Sequence, residues 1–363
     1  MALFPHRLGR LLCLVLALLL TPAWAGEFAT VKPGAVLRFP ADHGAHPSFR
    51  TEWWYLTGWL RLPDGKPAGF QLTFFRTATG LAADNPSGFA PKQLLFGHAA
   101  LSDPANARML HDQRLARGGL GLAQTASGNT DAAIGDWSLR RQSDDSYIAT
   151  VAAKEFQYRL RLQPSQTILL QGDGGFSRKG PRPGQASYYY SRPHLKVDGV
   201  LTRQGRQITV SGEAWLDHEW SSQVLDDETV GWDWAGINLA DGGSVTAFQL
   251  RDSKGRTRWT GGSRRYADGS VKILAPAEVS FTPRRHWTSP RSKIRYPTTM
   301  AIKLSGTVNE EWLLQPLLPD QELDARHSTG NMYWEGAVRA GKNGQQAGQG
   351  YLELTGYGQP LRM

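Results

Sequence analysis

The chain has 363 residues, with 13 Trp and 40 Gly, one Cys, and 41 Lys plus Arg against 32 Asp plus Glu. One cysteine allows no disulfide framework, so the fold has to rest on its hydrophobic core. Beyond the N-terminal leader no stretch approaches the roughly 20 apolar residues of a membrane-spanning helix, and the basic excess comes with no nucleic-acid-binding module.

Residues 1–25 read as a secretory signal peptide. His6, Arg7 and Arg10 make a basic start, Leu11 to Leu20 an apolar stretch, and Ala23-Trp24-Ala25 supplies small residues for cleavage after Ala25. The mature protein is then periplasmic or secreted, without Cys13. Loss of Arg7 and Arg10 leaves 39 Lys plus Arg against 32 acids, a charge of about +7.

Strands are predicted at Glu52 to Leu62, Gly69 to Arg76, Tyr147 to Ala152, Tyr158 to Leu162, Thr167 to Gln171, Ile208 to Leu216, Gly231 to Leu239, Val245 to Arg251 and Tyr351 to Thr355. These runs are short, rich in aromatic and branched residues, and separated by turn pairs such as Asp64-Gly65 and Asp241-Gly242. Helix turns are allowed only in Gln93 to Leu101 and Ala107 to Leu122. Ser221 to Glu228 is polar and patternless, which divides the chain into a domain over 26–222 and another over 223–363.

A repeat supports that division. Trp53-Trp54-Tyr55 through Asp64-Gly65 to Phe70-Gln71-Leu72 matches Trp232-Asp233-Trp234 through Asp241-Gly242 to Phe248-Gln249-Leu250, and the two Phe residues lie 178 positions apart. Gly212 to Asp217 matches Gly348 to Glu353 in its Gly, aromatic, Leu and acid positions. A period this long means duplicated domains. Evenly spaced antiparallel strands with many Trp favour barrels, in which closure leaves a lumen for an apolar ligand.

Gly212 to Ser222 is the segment richest in chemistry. Alternation puts Ala214, Leu216, His218 and Trp220 on one face and Trp215, Asp217 and Glu219 on the other. His218 is a candidate for proton transfer beside Trp220, and a core histidine is the structural alternative. Asp233 lies opposite Trp232 and Trp234; packed among aromatics it would be an acid of raised pKa, and a structural acid bonded to Arg or a Trp N–H is its alternative. Glu52 shares a face with Trp54, and Trp53 with Tyr55. Ser187 to Ser191, centred on Tyr189, completes the aromatic set.

Other chemistries find no support. Gly242-Gly243-Ser244-Val245-Thr246 lacks the closing glycine of a serine-hydrolase elbow. There is no thiol nucleophile, phosphate-cradling loop or His-Glu-x-x-His helix, and His43 with His46 is weak as a metal pair, so neither cofactor nor metal is expected. The densest basic run, through Arg284, Arg285 and Arg291, reads as a solvated loop or a contact with an anionic membrane surface.

Thr51 to Gly58, Phe96-Gly97-His98-Ala99, Tyr188 to Ser191, Ala214 to Ser221, Gly231 to Trp234 and Gly350 to Tyr357 together resemble the AttH-like, carotenoid 1,2-hydratase-related proteins over nearly the whole mature chain. The resemblance implies two lipocalin-like (calycin) β domains. It leaves the activity open: members hydrate an isolated carbon–carbon double bond, steer cycloadditions, or are exported bacterial proteins found beside lipoprotein-release-type transporters.

Carried over, a hydratase mechanism would use His218 and Trp220, with Asp217 or Asp233 as acid and Trp232 or Trp234 along the cation. The sequence therefore gives an exported, all-β, two-barrel protein that binds an extended apolar molecule, a lipid or isoprenoid, near the domain junction. Trp220, Trp232, Trp234, Glu52, Trp53, Trp54, Tyr55 and Tyr189 are the candidate binding residues. A hydro-lyase, or a non-catalytic partner of an ABC-type inner-membrane transporter, are its rivals.

Overall fold

The computed structural model describes residues 28–81, 84–182 and 184–361, so the leader and its cleavage site lie outside the described residues. The first sheet comprises β1 (Thr51–Arg61), β2 (Pro67–Ala78), β3 (Gln93–Ser102), β4 (Leu110–Arg117), β5 (Ala123–Thr125), β6 (Asp131–Ile134), β7 (Trp137–Arg141), β8 (Tyr147–Ala152), β9 (Phe156–Pro164), β10 (Leu169–Leu170), β11 (Phe176–Arg178), β12 (Ala186–Arg203) and β13 (Arg206–Ser221). The second comprises β14 (Gly231–Leu239), β15 (Ser244–Arg251), β16 (Thr257–Arg265), β17 (Val271–Leu274), β18 (Val279–Thr288), β19 (Arg295–Leu304), β20 (Glu310–Pro316), β21 (Glu322–Ala325), β22 (Asn331–Lys342) and β23 (Gln345–Leu354).

Both sheets are antiparallel and follow one plan. The opening strand sits in the middle, its hairpin partners run outward on one side, and the closing strand returns to pair with it on the other: β4-β3-β2-β1-β13-β12-β9-β8-β7-β6-β5 and β17-β16-β15-β14-β23-β22-β20-β19-β18. The duplication read from the repeat is thus a duplication of topology. Its residue match is offset, however. Phe70 stands opposite Gly58 and fills the first barrel, whereas Phe248 stands opposite Trp234 and packs between the sheets. The hairpin loops differ in length, and a shift of one residue exchanges faces.

The first sheet curls into a nearly closed barrel and the second remains open. In place of the open lumen that closure suggested, Trp54, Phe70, Phe74, Trp137, Tyr147 and Tyr158 pack the barrel interior. Its outer strands show simple alternation; β9 buries Phe156, Tyr158, Leu160 and Leu162 and exposes the residues between them. Burial of this kind contributes about 25 cal/mol per Å² of apolar surface.

The central strands are buried on both faces because the two sheets pack against each other. Tyr55, Trp59 and Trp215 of the first meet Trp234, Phe248, Leu250, Ala337 and Tyr351 of the second. Trp59 Nε1 donates to Gly350 O at 2.9 Å across the seam. Gly69 is required here: a Cβ would lie 2.7 Å from both Ala337 Cβ and the Tyr351 hydroxyl. His98 of the Phe96-Gly97-His98-Ala99 motif is a second fastening, 2.7 Å from the Tyr333 hydroxyl and 2.8 Å from Ser328 Oγ. Burial drives His98 down to about 3, so it is neutral in ordinary buffers.

Two expectations are corrected. Gln93 to Leu101 and much of Ala107 to Leu122 form β3 and β4 rather than helix turns. Pairing on both sides of β3, with burial on both its faces, gives an apolar run that periodicity alone does not separate from a helix.

Candidate functional site

Strand β13 supplies two sites, one from each face. His218 and Trp220 point into the end of the first barrel, and Asp217 and Glu219 point toward the second sheet. Neighbouring residues on a strand face opposite ways, so Asp217 and His218 do not act on one reacting group together.

At the barrel end, His218 Nε2 lies 2.9 Å from Glu52 Oε1, and its Nδ1 lies 3.2 Å from the Tyr190 hydroxyl. His46 Nδ1 reaches the same Glu52 oxygen at 2.7 Å, and Arg76 Nε donates to Glu52 Oε2 at 2.8 Å. The Trp54 ring stacks on His218 at 4.6 Å and Trp220 on His46 at 3.8 Å. Burial alone would raise the Glu52 carboxyl, but the bonds from His218 and His46 and the Arg76 charge hold it well below the usual carboxylate range. Burial lowers His218 despite Glu52. Burial also acts to lower His46, but its bonds to Asp42 and Glu52 win and raise it.

The donor atoms of His46, Glu52 and His218 lie within 4.8 Å of one another, a set that could hold a metal ion. Their contacts through Glu52 are already hydrogen bonds. An ion would displace the imidazole protons and would sit beside the Arg76 guanidinium, to which Glu52 is bonded. The weak pair His43 and His46 divides: His43 instead meets Tyr190 at 2.8 Å and Arg192 at 3.1 Å.

Between the sheets lies a cavity walled by Trp53, Tyr55, Trp232, Trp234, Phe248 and Leu250, with Val224 and Leu225 of the inter-sheet linker over it. The cavity volume is about 70 Å³. Four carboxyls reach it, Asp217 and Glu219 from the first sheet and Glu335 and Glu353 from the second, against one lysine, Lys179. Lys179 Nζ is 2.9 Å from Glu219 and lies over the rings of Tyr189 and Phe248.

Asp217 accepts from Tyr189 at 2.8 Å, from Ser191 at 2.5 Å and from Trp215 Nε1 at 2.7 Å. Burial outweighs these bonds and pushes it up to about 7. Glu353 stands directly across the ladder from Glu335 and accepts from Trp232 Nε1 at 2.8 Å. Burial, with the nearby acids adding to it, pushes Glu353 up to about 7 and Glu335 well above the ordinary range.

The sequence-derived residues therefore fall into three places. Trp53, Tyr55, Trp232, Trp234 and Asp217 line the cavity, and Tyr189 braces it through Asp217 and Trp234 Nε1. Glu52, Trp54, His218 and Trp220 form the barrel-end cluster. Asp233 sits inside the second sheet, bonded to Arg251, Gln249 and Tyr357; burial raises it in spite of Arg251. The proposed union of His218 with Asp217 or Asp233 at one reacting centre is therefore not formed, and the carboxylate His218 meets is Glu52. Lys179, Glu335 and Glu353 were missed as site residues; the signal was an acid amid an otherwise buried strand pattern, as in Tyr333-Trp334-Glu335-Gly336-Ala337.

A search of the curated proteins found no match. Among solved structures, a protein assigned as AttH from Nitrosomonas europaea is 49% identical, with a TM-score of 0.85, covering 91% of this chain and 100% of that one. Kievitone hydratase from Nectria haematococca shares the fold at 14% identity and a TM-score of 0.66, covering 92% of this chain and 96% of that one. The AttH-like family model matches residues 30–357, and the chain belongs to that family.

Proposed function

We propose that this is an exported binding protein whose cavity between the two sheets takes up a predominantly apolar molecule. One observation carries the reading: the cavity has aromatic and aliphatic walls and a few convergent polar groups, and it lies at a domain junction. The rim formed by Trp53, Phe75, Leu225 and Trp232 is half-buried, which gives an extended tail a way out. Export rests on residues 1–25, and N-terminal sequencing of protein from the native host is expected to begin at Gly26.

The decisive experiment is mass spectrometry of an organic extract from protein purified from its native host. A near-stoichiometric apolar molecule, lost from Trp232→Ala, is the expected result. Extracts that stay empty, together with failure of simple apolar probes to bind, would overturn the reading.

Asp217 favours a second reading, hydration of a carbon–carbon double bond; the name of kievitone hydratase makes that protein a hydratase. A carboxyl held near 7 beside indole faces can pass its proton to an alkene carbon. The Trp faces would stabilise the carbocation, water would add to it, and the proton released would return to the Asp217 carboxylate. The retained molecule accompanied by its water adduct in wild type, and unaccompanied in Asp217→Asn, is the result this reading requires.

A further inference from the structure

We propose that the ligand of the inter-sheet cavity is a hydrophobic amine, its protonated nitrogen seated between Glu335 and Glu353 and its carbon chain against the aromatic walls. The inference rests on the binding reading above and names the ligand's chemical class.

Two carboxyls placed directly opposite each other on neighbouring strands repel once both ionise, and Glu335 and Glu353 are such a pair. Burial makes this worse, since Glu335 is only 2% exposed. Glu335 has the Tyr55 and Tyr333 hydroxyls beside it and Glu353 has the Trp232 indole N–H, all neutral donors, and both acids line the cavity. A buried acid pair met by neutral donors alone leaves its charge to be balanced by a cation brought by a ligand. Glu353 is the more accessible carboxyl of the pair.

The only basic group among the lining residues, Lys179, is engaged with Glu219 and does not neutralise the pair. The nearby acids Asp217 and Glu219 add to the negative field. A primary ammonium offers three donors, enough for Glu335, Glu353 and the Tyr55 oxygen. It also gains from the faces of Trp232, Trp234 and Tyr55. A hard metal ion would want oxygen ligands in place of these rings, and a quaternary ammonium has no N–H to donate to the two carboxyls. The space of about 70 Å³ suits an ammonium and its first methylenes.

The test titrates Trp fluorescence of the full mature protein with n-octylamine, n-octanol and n-octanoate. Octylamine is expected to bind at least tenfold more tightly than octanol at pH 7.5, with octanoate the weakest. Its affinity should rise several-fold from pH 6 to pH 8, as Glu353 gives up its proton, while octanol's stays flat; Asp217 titrates in the same window and adds to the rise. Glu335→Gln should reduce the preference for amine over alcohol to within threefold, with a far-UV circular dichroism spectrum that matches the wild type to show that the variant is folded.

Equal binding of octylamine and octanol would overturn the amine assignment and leave the apolar-cavity reading standing. Amine preference unchanged in both Glu335→Gln and Glu353→Gln would overturn the placement. Binding of none of the three probes would overturn both readings.

Discussion

The two faces of β13 make a controlled comparison within one strand. On one side His218 enters a cluster in which each charged group has its partner: Glu52 with Arg76, His46 and His218, and the imidazoles against indole rings. On the other side Asp217 and Glu219 look onto a void where four carboxyls face one lysine. Both regions are buried, aromatic and rich in ionisable groups, so composition does not tell them apart. Charge balance does. A buried cluster whose charges are compensated contributes to a unique fold, while an acidic one beside open space retains capacity for a cationic ligand.

The largest effect is expected on the charge-balanced side. Glu52→Gln leaves Arg76 buried with its counter-ion removed, and breaking a buried pair in this way costs about 3–5 kcal/mol. Urea unfolding at pH 7 measures it, and a loss below 1 kcal/mol would mean that the cluster is not structural. Glu335→Gln, by contrast, removes one member of a repulsive pair and should leave stability unchanged or higher.

The comparison sharpens with pH because the two carboxyls shift in opposite directions. Glu52 is lowered in the fold, so its contribution is present above about pH 4.5 and is lost as pH falls toward its folded value. The Glu52→Gln deficit should therefore shrink in acid. Glu353 is raised from 4.5 to about 7, so its contribution is present below 4.5 and is lost as pH rises through 7. Glu353→Gln, neutral at every pH, should gain on the wild type across that interval. Unfolding of both variants at pH 3, 4.5, 6 and 8 checks the two signs, and parallel curves would refute the assignment of opposite environments.

A smaller effect is expected at the seam itself. Tyr333→Phe takes the hydroxyl from His98 Nδ1 and leaves a buried ring nitrogen unpaired, at a cost of about 1–3 kcal/mol. Separate melting of the two sheets in this variant, seen as non-coincident transitions by Trp fluorescence and by far-UV circular dichroism, would show that the His98 link couples them.

The faces of the hairpin strands were legible in the sequence because alternation is local. Trp53 and Tyr55 line the cavity and Glu52 and Trp54 do not, Asp217 and Glu219 part from His218 and Trp220, and Asp233 lies opposite its flanking indoles. Which of these faces meet was not legible. Glu335 and Glu353 converge on Asp217 only because two sheets pack back to back, a contact between segments more than 100 residues apart. The offset of Phe70 and Phe248 has the same origin: composition repeats along a chain, but register is set by loop length and by what each face must cover.

The smallest expected effect concerns the basic run on β18 and the turn after it. Arg291 makes two bonds of 2.6 Å to Asp320, and Arg284 lies 3.0 Å from Glu311, so much of the positive charge that could face a membrane is already paired within the protein. These are largely exposed pairs, worth about 0.2–1 kcal/mol each and weakened by salt. Arg291→Gln should lower stability by no more than about 1 kcal/mol, less in 0.5 M salt than at low ionic strength. Arg285 has no such partner among the described hydrogen bonds and ion pairs. If this face does touch an anionic bilayer, Arg285→Gln should weaken co-sedimentation with phosphatidylglycerol vesicles more than Arg291→Gln does. The reverse order would mean that the pairs open at the membrane, and that the charge held by Asp320 is released for contact.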